Sequence, residues 1–266
     1  MQSQWLHFLF ITDIYIINKQ YKTMGKYLKK FDNHTQYEEA RKNLILSNVS
    51  LCVQENEVHY NPWVETRVVA KFNVTSTSSA TPIMNSSATS QFSEIEVDGV
   101  VQPSVVSSYT FSTTGEHIIK YTLIDDTIIG MYVFRGCEGL TSIIIPDSVT
   151  VIYDGAFSGC TSLTSLTIGN SVSNIQQYAF AYCSNLTSLI IPDSVSSIRE
   201  AVLKNCNSLT SIISLATTAP KIQSSTFSNV KTGGTLTVPA GSTGYDVWMG
   251  TGNYYLGKYN WTKVEQ

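Results

Sequence analysis

Three groups of residues have side chains and spacings that can do chemistry. Glu55, Glu57 and His59 alternate along an extended run, so they share one face of a strand, where two carboxylates and an imidazole can hold a metal ion or serve a hydrolase. Three such groups without a fourth ligand make a poor metal site, and a solvated strand face is the simpler reading. No catalytic residue, metal or cofactor is assigned on this basis. The stretch Gly252 to Lys258, GNYYLGK, has the GxxxxGK spacing of a phosphate-cradling loop, but Tyr259 stands where the Ser or Thr that holds the metal belongs, and nucleotide binding is set aside. The third group is Cys137, Cys160, Cys183 and Cys206, each 23 residues from the next.

That interval belongs to the whole second half of the chain. The same register aligns Leu140, Leu163, Leu186 and Leu209; Ile143, Leu166, Leu189 and Ile212; Val149, Val172 and Val195; Ile152, Ile175 and Ile198; and Phe134, Phe157 and Phe180 with Leu203 in the last slot. One unit cannot bury its own apolar edge, so neighbours must stack and turn these positions into continuous columns. The cysteines are part of that core. Neighbouring rungs lie about 4.8 Å apart, whereas a relaxed disulfide brings Cβ atoms to about 3.8 Å, and a straight column does not converge on a tetrahedral zinc. A ladder of buried thiols is expected, with Cys52 a free cysteine outside it.

Each unit reads AFxxCxxLTSLxIPDSVxxI, with the LxxLxL core of a leucine-rich repeat. From about Thr127 to Val238, in four units, the chain resembles the BspA-type leucine-rich repeat family, on the match of Ala156, Phe157, Cys160, Leu163, Leu166, Ile168, Val172 and Ile175. The resemblance implies a solenoid with one strand per unit and a role in adhesion at surfaces, as in proteins of oral and gut anaerobes, some of their phages and protozoan parasites. The fourth unit departs from the pattern after Ile213, where Ser214-Leu215 replaces the Ile-Pro step, and this sets the solenoid's end near Phe227. Asp147 and Asp193 fill the same Pro-Asp-Ser turn, with Gly169-Asn170-Ser171 in the middle unit, so they are turn residues and not a catalytic pair.

With Leu and Ile pointing inward, the alternate strand positions face solvent. These are Ser142, Ser165, Ser188 and Ser211 in one row and Ile144, Thr167, Ile190 and Ile213 in the next, the candidate ligand-binding residues. A hydroxyl and aliphatic stripe suits a protein or glycan surface; a β-branched strand preference with no partner accounts for it equally. Tyr153, Tyr178, Tyr182 and Arg199, on loops of the opposite side, form a second patch.

Several elements along the chain must hold this surface. Residues 1–23 read as an upstream extension outside the fold, because Met24-Gly25-Lys26 is a second start and the 13-residue stretch Trp5 to Ile17 carries His7 and Asp13 and is shorter than the roughly 20 residues a spanning helix needs. Residues 24–67 hold a short helix, signalled by the capping-box pair Thr35 and Glu38, and an extended segment. Residues 68–126 read as a small immunoglobulin-like β-sandwich, with Thr75–Ser90 a mobile loop, a hairpin from Tyr109 across Thr113-Thr114-Gly115 to Ile119, Tyr121 and Leu123, and His117 facing solvent. The solenoid occupies 127–230. The segment 231–266 is its cap, where Leu236, Val238, Tyr245, Trp248 and Trp261 cover the last rung.

The fold class is therefore mostly β, a solenoid of four 23-residue repeats behind a sandwich and a helix. Only 14% of residues are charged and the net charge is −3, which excludes an electrostatic nucleic-acid binder. The expectation is a non-enzymatic adhesion protein that contacts a protein or glycan, extracellular or at the cell surface. A phage virion component, assembled into a larger particle and needing no export signal, is the alternative, and a hydrolase built on Glu55, Glu57 and His59 the third.

Overall fold

The computed structural model describes residues 67–266 and two short strands, β1 (Phe10–Ile11) and β2 (Tyr27–Leu28), which pair antiparallel with Phe10 opposite Leu28. The chain divides into two compact units, 1–64 and 65–265. The expected helix after Asn33, Cys52 and the Glu55, Glu57, His59 cluster lie outside the described residues. All the remaining strands belong to the second unit.

The repeating part of that unit is a coil with two strands per turn. The short strands β9 (Ile128–Ile129), β11 (Val151–Ile152), β13 (Asn174–Ile175), β15 (Ser197–Ile198) and β17 (Lys221–Ile222) form one parallel sheet. The long strands β10 (Leu140–Ile144), β12 (Ser165–Thr167), β14 (Ser188–Ile191), β16 (Ser211–Ser214), β18 (Thr235–Val238) and β19 (Thr262–Glu265) succeed one another along the other side. The coil thus makes about six turns and not four. The fifth long strand falls outside the 23-residue register because one extra residue shifts it: Ser211 sits beside Thr235 and Ile212 beside Leu236, a step of 24.

The columns are buried as their spacing requires. Leu140, Leu163, Leu186 and Leu209, and Phe134, Phe157 and Phe180, have no exposed surface, and the three phenyl rings stack 5.2 and 5.4 Å apart with interplanar angles of 9° and 17°. The thiols belong to this core and are free. Three of them donate to the coil before their own: Cys160 Sγ to the Phe134 carbonyl at 3.0 Å, Cys183 to Phe157 and Cys206 to Phe180, both at 3.3 Å. The same carbonyls already accept a backbone N–H within their own turn (Cys137, Cys160 and Cys183), so the thiol fills the second lone pair. Burial pushes Cys137 and Cys206 up to about 12 and the two between them well above the ordinary thiol range.

The connection from short to long strand is held by two columns of left-handed residues. Tyr132, Gly155, Tyr178, Ala201 and Ser225 have φ between 55° and 64°, and Gly136, Gly159, Tyr182, Asn205 and Asn229 between 57° and 79°. Left-handed backbone costs a non-glycine residue on the order of 1 kcal/mol. It turns amides toward the next coil: Tyr132 N–H donates to the Asp154 carbonyl, Phe134 to Ala156 and Gly136 to Ser158, and this set recurs coil by coil. The last left-handed amide of this column, Asn229, donates instead to the Tyr259 hydroxyl at 2.9 Å.

The segment from 68 to 126 is not an immunoglobulin-like sandwich. Strand β3 (Val68–Val74) pairs antiparallel with β8 (Gly115–Leu123) on one edge and with β10 on the other, giving one six-stranded sheet in the order β12, β10, β3, β8, β5 (Phe92–Val97), β6 (Val100–Val101). Alternation announces these strands but cannot say that β3 spends an edge on the solenoid. The expected hairpin across Thr113-Thr114-Gly115 is also absent, since β7 (Ser108–Tyr109) pairs with β4 (Thr81–Pro82). Nor is Thr75–Ser90 simply a surface loop. From Thr81 onward it carries β4 and begins a 3-10 turn over Ser86–Gln91, with Ile83, Met84 and Ala88 buried in the core. There Tyr121 donates its hydroxyl to the Ile83 carbonyl at 2.8 Å and sets its ring edge-on to Phe134 of the first coil.

Candidate functional site

The long strands carry the candidate rows as alternation requires. Ser165 and Ser188 are exposed, and Ser142, Ser211, Ile144, Thr167, Ile190 and Ile213 are half-buried, while Ile143, Leu166, Leu189 and Ile212 between them point inward. Strand pairing aligns Ser142 with Ser165 and Ile144 with Thr167, then Ser188 with Ser211 and Ile190 with Ile213. The isoleucines are less exposed than a free aliphatic stripe, because each lies against its neighbour across the ladder.

Both rows run further than the repeat pattern indicates. Thr235 and Thr237 of β18, then Thr262 and Val264 of β19, continue them at one end, and Lys71 and Val69 of β3 lie beside Ser142 and Ile144 at the other. The outward positions from β10 to β19 are all Ser, Thr, Ile or Val. Along these two rows charge enters on the antiparallel sheet, where Lys71 pairs with Glu116 and Arg67 with Glu96, each at 2.8 Å; Lys263 and Glu265 of β19 take the alternate positions, opposite Leu236 and Val238. A threonine column at the head of the strands stiffens the face: Thr141, Thr164 and Thr210 donate their hydroxyls to the carbonyls of Lys71, Thr141 and Thr187 on neighbouring strands.

The four residues of the second patch occupy two kinds of position. Tyr178 and Tyr182 belong to the left-handed columns, whereas Tyr153 and Arg199 each come just after a short strand and share one column with Gln176 and Gln223. The left-handed tyrosines carry no compositional signal of their own, but Gly155 in register with Tyr132 and Tyr178, and Gly136 and Gly159 in register with Tyr182 and Asn205, are readable at the 23-residue spacing.

Two expectations about single sites are corrected or completed. His117 is buried and does not face solvent: its Nδ1 lies 2.6 Å from Asp98 Oδ2, its Nε2 3.0 Å from the Thr113 carbonyl, and its ring against Phe111. The Asp98 carboxylate and the Thr113 carbonyl are both acceptors, an arrangement that favours the doubly protonated ring. Burial pulls its pKa down, but the Asp98 and Thr113 hydrogen bonds outweigh this and hold it above the ordinary value. In the GxxxxGK segment, Lys258 is turned onto Asn253 at 2.7 Å, and a side chain at Gly257 would strike the Met249 carbonyl, so the loop is folded against its own backbone. Among the described residues no group of His, Cys, Asp and Glu is arranged to hold a metal, and no helix is long and apolar enough to cross a membrane.

Comparison with known proteins gives the coil relatives. The model of the BspA type leucine rich repeat region matches six copies over residues 102–244. Among solved structures, a leucine rich repeat protein of T. pallidum is 27% identical over 43% of this chain and 53% of its own, with a TM-score of 0.38. A leucine-rich repeat protein of Bacteroides ovatus is 24% identical over 50% of this chain and 32% of its own, also at 0.38. One from Bacteroides capillosus is 28% identical over 40% and 70%, at 0.30. The chain spans about half the length of the first and a third of the second. No curated protein sequence matches it.

Proposed function

Since the chain belongs to the BspA-type leucine-rich repeat family, we propose that it is a non-enzymatic binding protein whose long-strand face contacts a protein or glycan on a host or partner surface. One observation carries the reading: six successive strands present outward rows of Ser, Thr, Ile and Val without a single charge. Charged side chains are depleted at the cores of binding interfaces because they are costly to strip of water. A face of hydroxyls and half-buried aliphatics gives up its water at low cost, and its strand geometry is rigid before the partner arrives. Surface or extracellular placement fits this role.

The test is a binding screen of the purified chain against extracellular-matrix proteins, mucin glycans and bacterial surface extracts, with Ile190→Asp beside it. Ile190 is central in its row, between Thr167 and Ile213 in sequence order, and half-buried, so a carboxylate there charges the face without entering the core. Saturable binding that falls at least tenfold in the variant supports the reading. Undiminished binding by the variant sinks it, and binding by neither protein favours a component of a larger particle.

A further inference from the structure

The short-strand face differs in chemistry from the long-strand face. Between β13, β15 and β17 lies an open depression of about 480 Å³ whose lining includes Asn174, Ser197, Arg199, Lys221 and Gln223. Parallel register sets Asn174 beside Ser197 and Ser197 beside Lys221, with Arg199 two residues further along its strand and on the same side. From strand spacing and rise, the Arg199 and Lys221 backbones are about 8 Å apart on a diagonal.

Among the described residues no carboxylate forms an ion pair with Arg199 or Lys221. Glu200, next to Arg199 in the turn that follows the strand, is approached by the Gln177 amide of the preceding coil. In a chain of net charge −3 this is a local reversal of sign. Guanidinium offers a planar fork to a carboxylate or sulfate, the ammonium is a point charge, and the Asn174 and Gln223 amides can both donate to and accept from hydroxyls. In the Arg199 column, two coils earlier, Tyr153 is 38% exposed and lies beyond the residues that line the depression.

We propose that this groove is a second binding site, distinct from the long-strand face, for an anionic polysaccharide. The row of amides and hydroxyls advances by one coil at a time, so it matches a polymer whose hydroxyls recur along its length. Two positive charges beside amides match an anionic sugar chain recognised by its hydroxyls as well as its charge, whereas holding a nucleic acid through its phosphates needs many more cations to displace the counterions.

The experiment measures affinity for hyaluronan, which carries carboxylates, for heparin, which is rich in sulfates, and for neutral dextran, using the wild type and an Arg199→Gln, Lys221→Gln variant. Both side chains are exposed, so an unchanged thermal midpoint is the control for folding. The expected result is salt-sensitive binding to hyaluronan or heparin, none to dextran, and at least a tenfold loss in the variant; the preferred polymer then separates carboxylate from sulfate recognition. No binding to either anionic polymer, or equal binding by the variant, overturns the proposal. Ile190→Asp serves as the second arm and is expected to leave this binding intact, so failure here is distinct from failure of the long-strand reading.

Discussion

The interior coils and the two ends of the solenoid solve the same problem by different means. Inside, every coil covers its neighbour with the same residue types at the same places, and the Phe134, Phe157 and Phe180 stack, the thiol ladder and the left-handed columns all have translational order. At the ends there is no neighbour, and each contact is made once. The N-terminal end is closed by strand pairing, with β3 set antiparallel on β10. The C-terminal end is closed by aromatic side chains: the Tyr245 hydroxyl meets Ser214 Oγ at 2.7 Å and the Ala216 carbonyl at 2.8 Å, Trp248 donates to the Pro220 carbonyl, and Trp261 to that of Lys231. Repetition makes the interior redundant in design but cooperative in packing, whereas an end depends on a few individual hydrogen bonds.

The contrast is sharpest at Phe157. Its ring is sandwiched between two others and fully buried, so Phe157→Ala opens a cavity that neighbouring coils cannot both fill, and a loss of about 3–5 kcal/mol is expected in urea unfolding. A loss below about 1 kcal/mol would mean that coils adjust independently. At the C-terminal end Tyr245→Phe keeps the ring against Trp248 and removes only the hydroxyl from Ser214 and Ala216; about 1–2 kcal/mol is expected, with no change in the slope of unfolding.

The smallest effect belongs to the N-terminal sheet and depends on pH. Asp98 and Thr113 favour the charged form of His117, and its folded pKa lies above the ordinary 6.5. Its contribution is therefore complete below that value and is lost as the pH rises through the raised one. The thermal midpoint should fall as the pH rises past 6.5, and Asp98→Asn should flatten that dependence. A midpoint that rises over the same range would show that the ring is neutral in the folded state.

The sequence is most legible where the molecule repeats. The columns from Phe134 to Phe180 and from Leu140 to Leu209 are forced by stacking, and any residue that fails to recur stands out against them. It is least legible where a strand has a choice of partner. Val68, Ala70, Phe72 and Val74 alternate correctly, but alternation reports a side and not a neighbour, so β3 points as well to a sandwich as to a solenoid edge. His117 eludes a reading from sequence for a related reason: its partners, Asp98 and Thr113, come together only when β8 lies against β5. The outward rows emerge from periodicity alone, while the groove beneath Arg199 needs the 24-residue step that brings Lys221 beside Ser197.

The step between coils has a consequence for the gene as well as for the fold. Because the thiol, hydroxyl and left-handed amide of one coil are satisfied by the coil beside it, a unit of 23 residues can be duplicated or deleted in frame without orphaning any of them. Each such event lengthens or shortens the outward face by one strand spacing, about 4.8 Å. Recombination between near-identical units can thus resize the surface in discrete increments, with both ends reused unchanged.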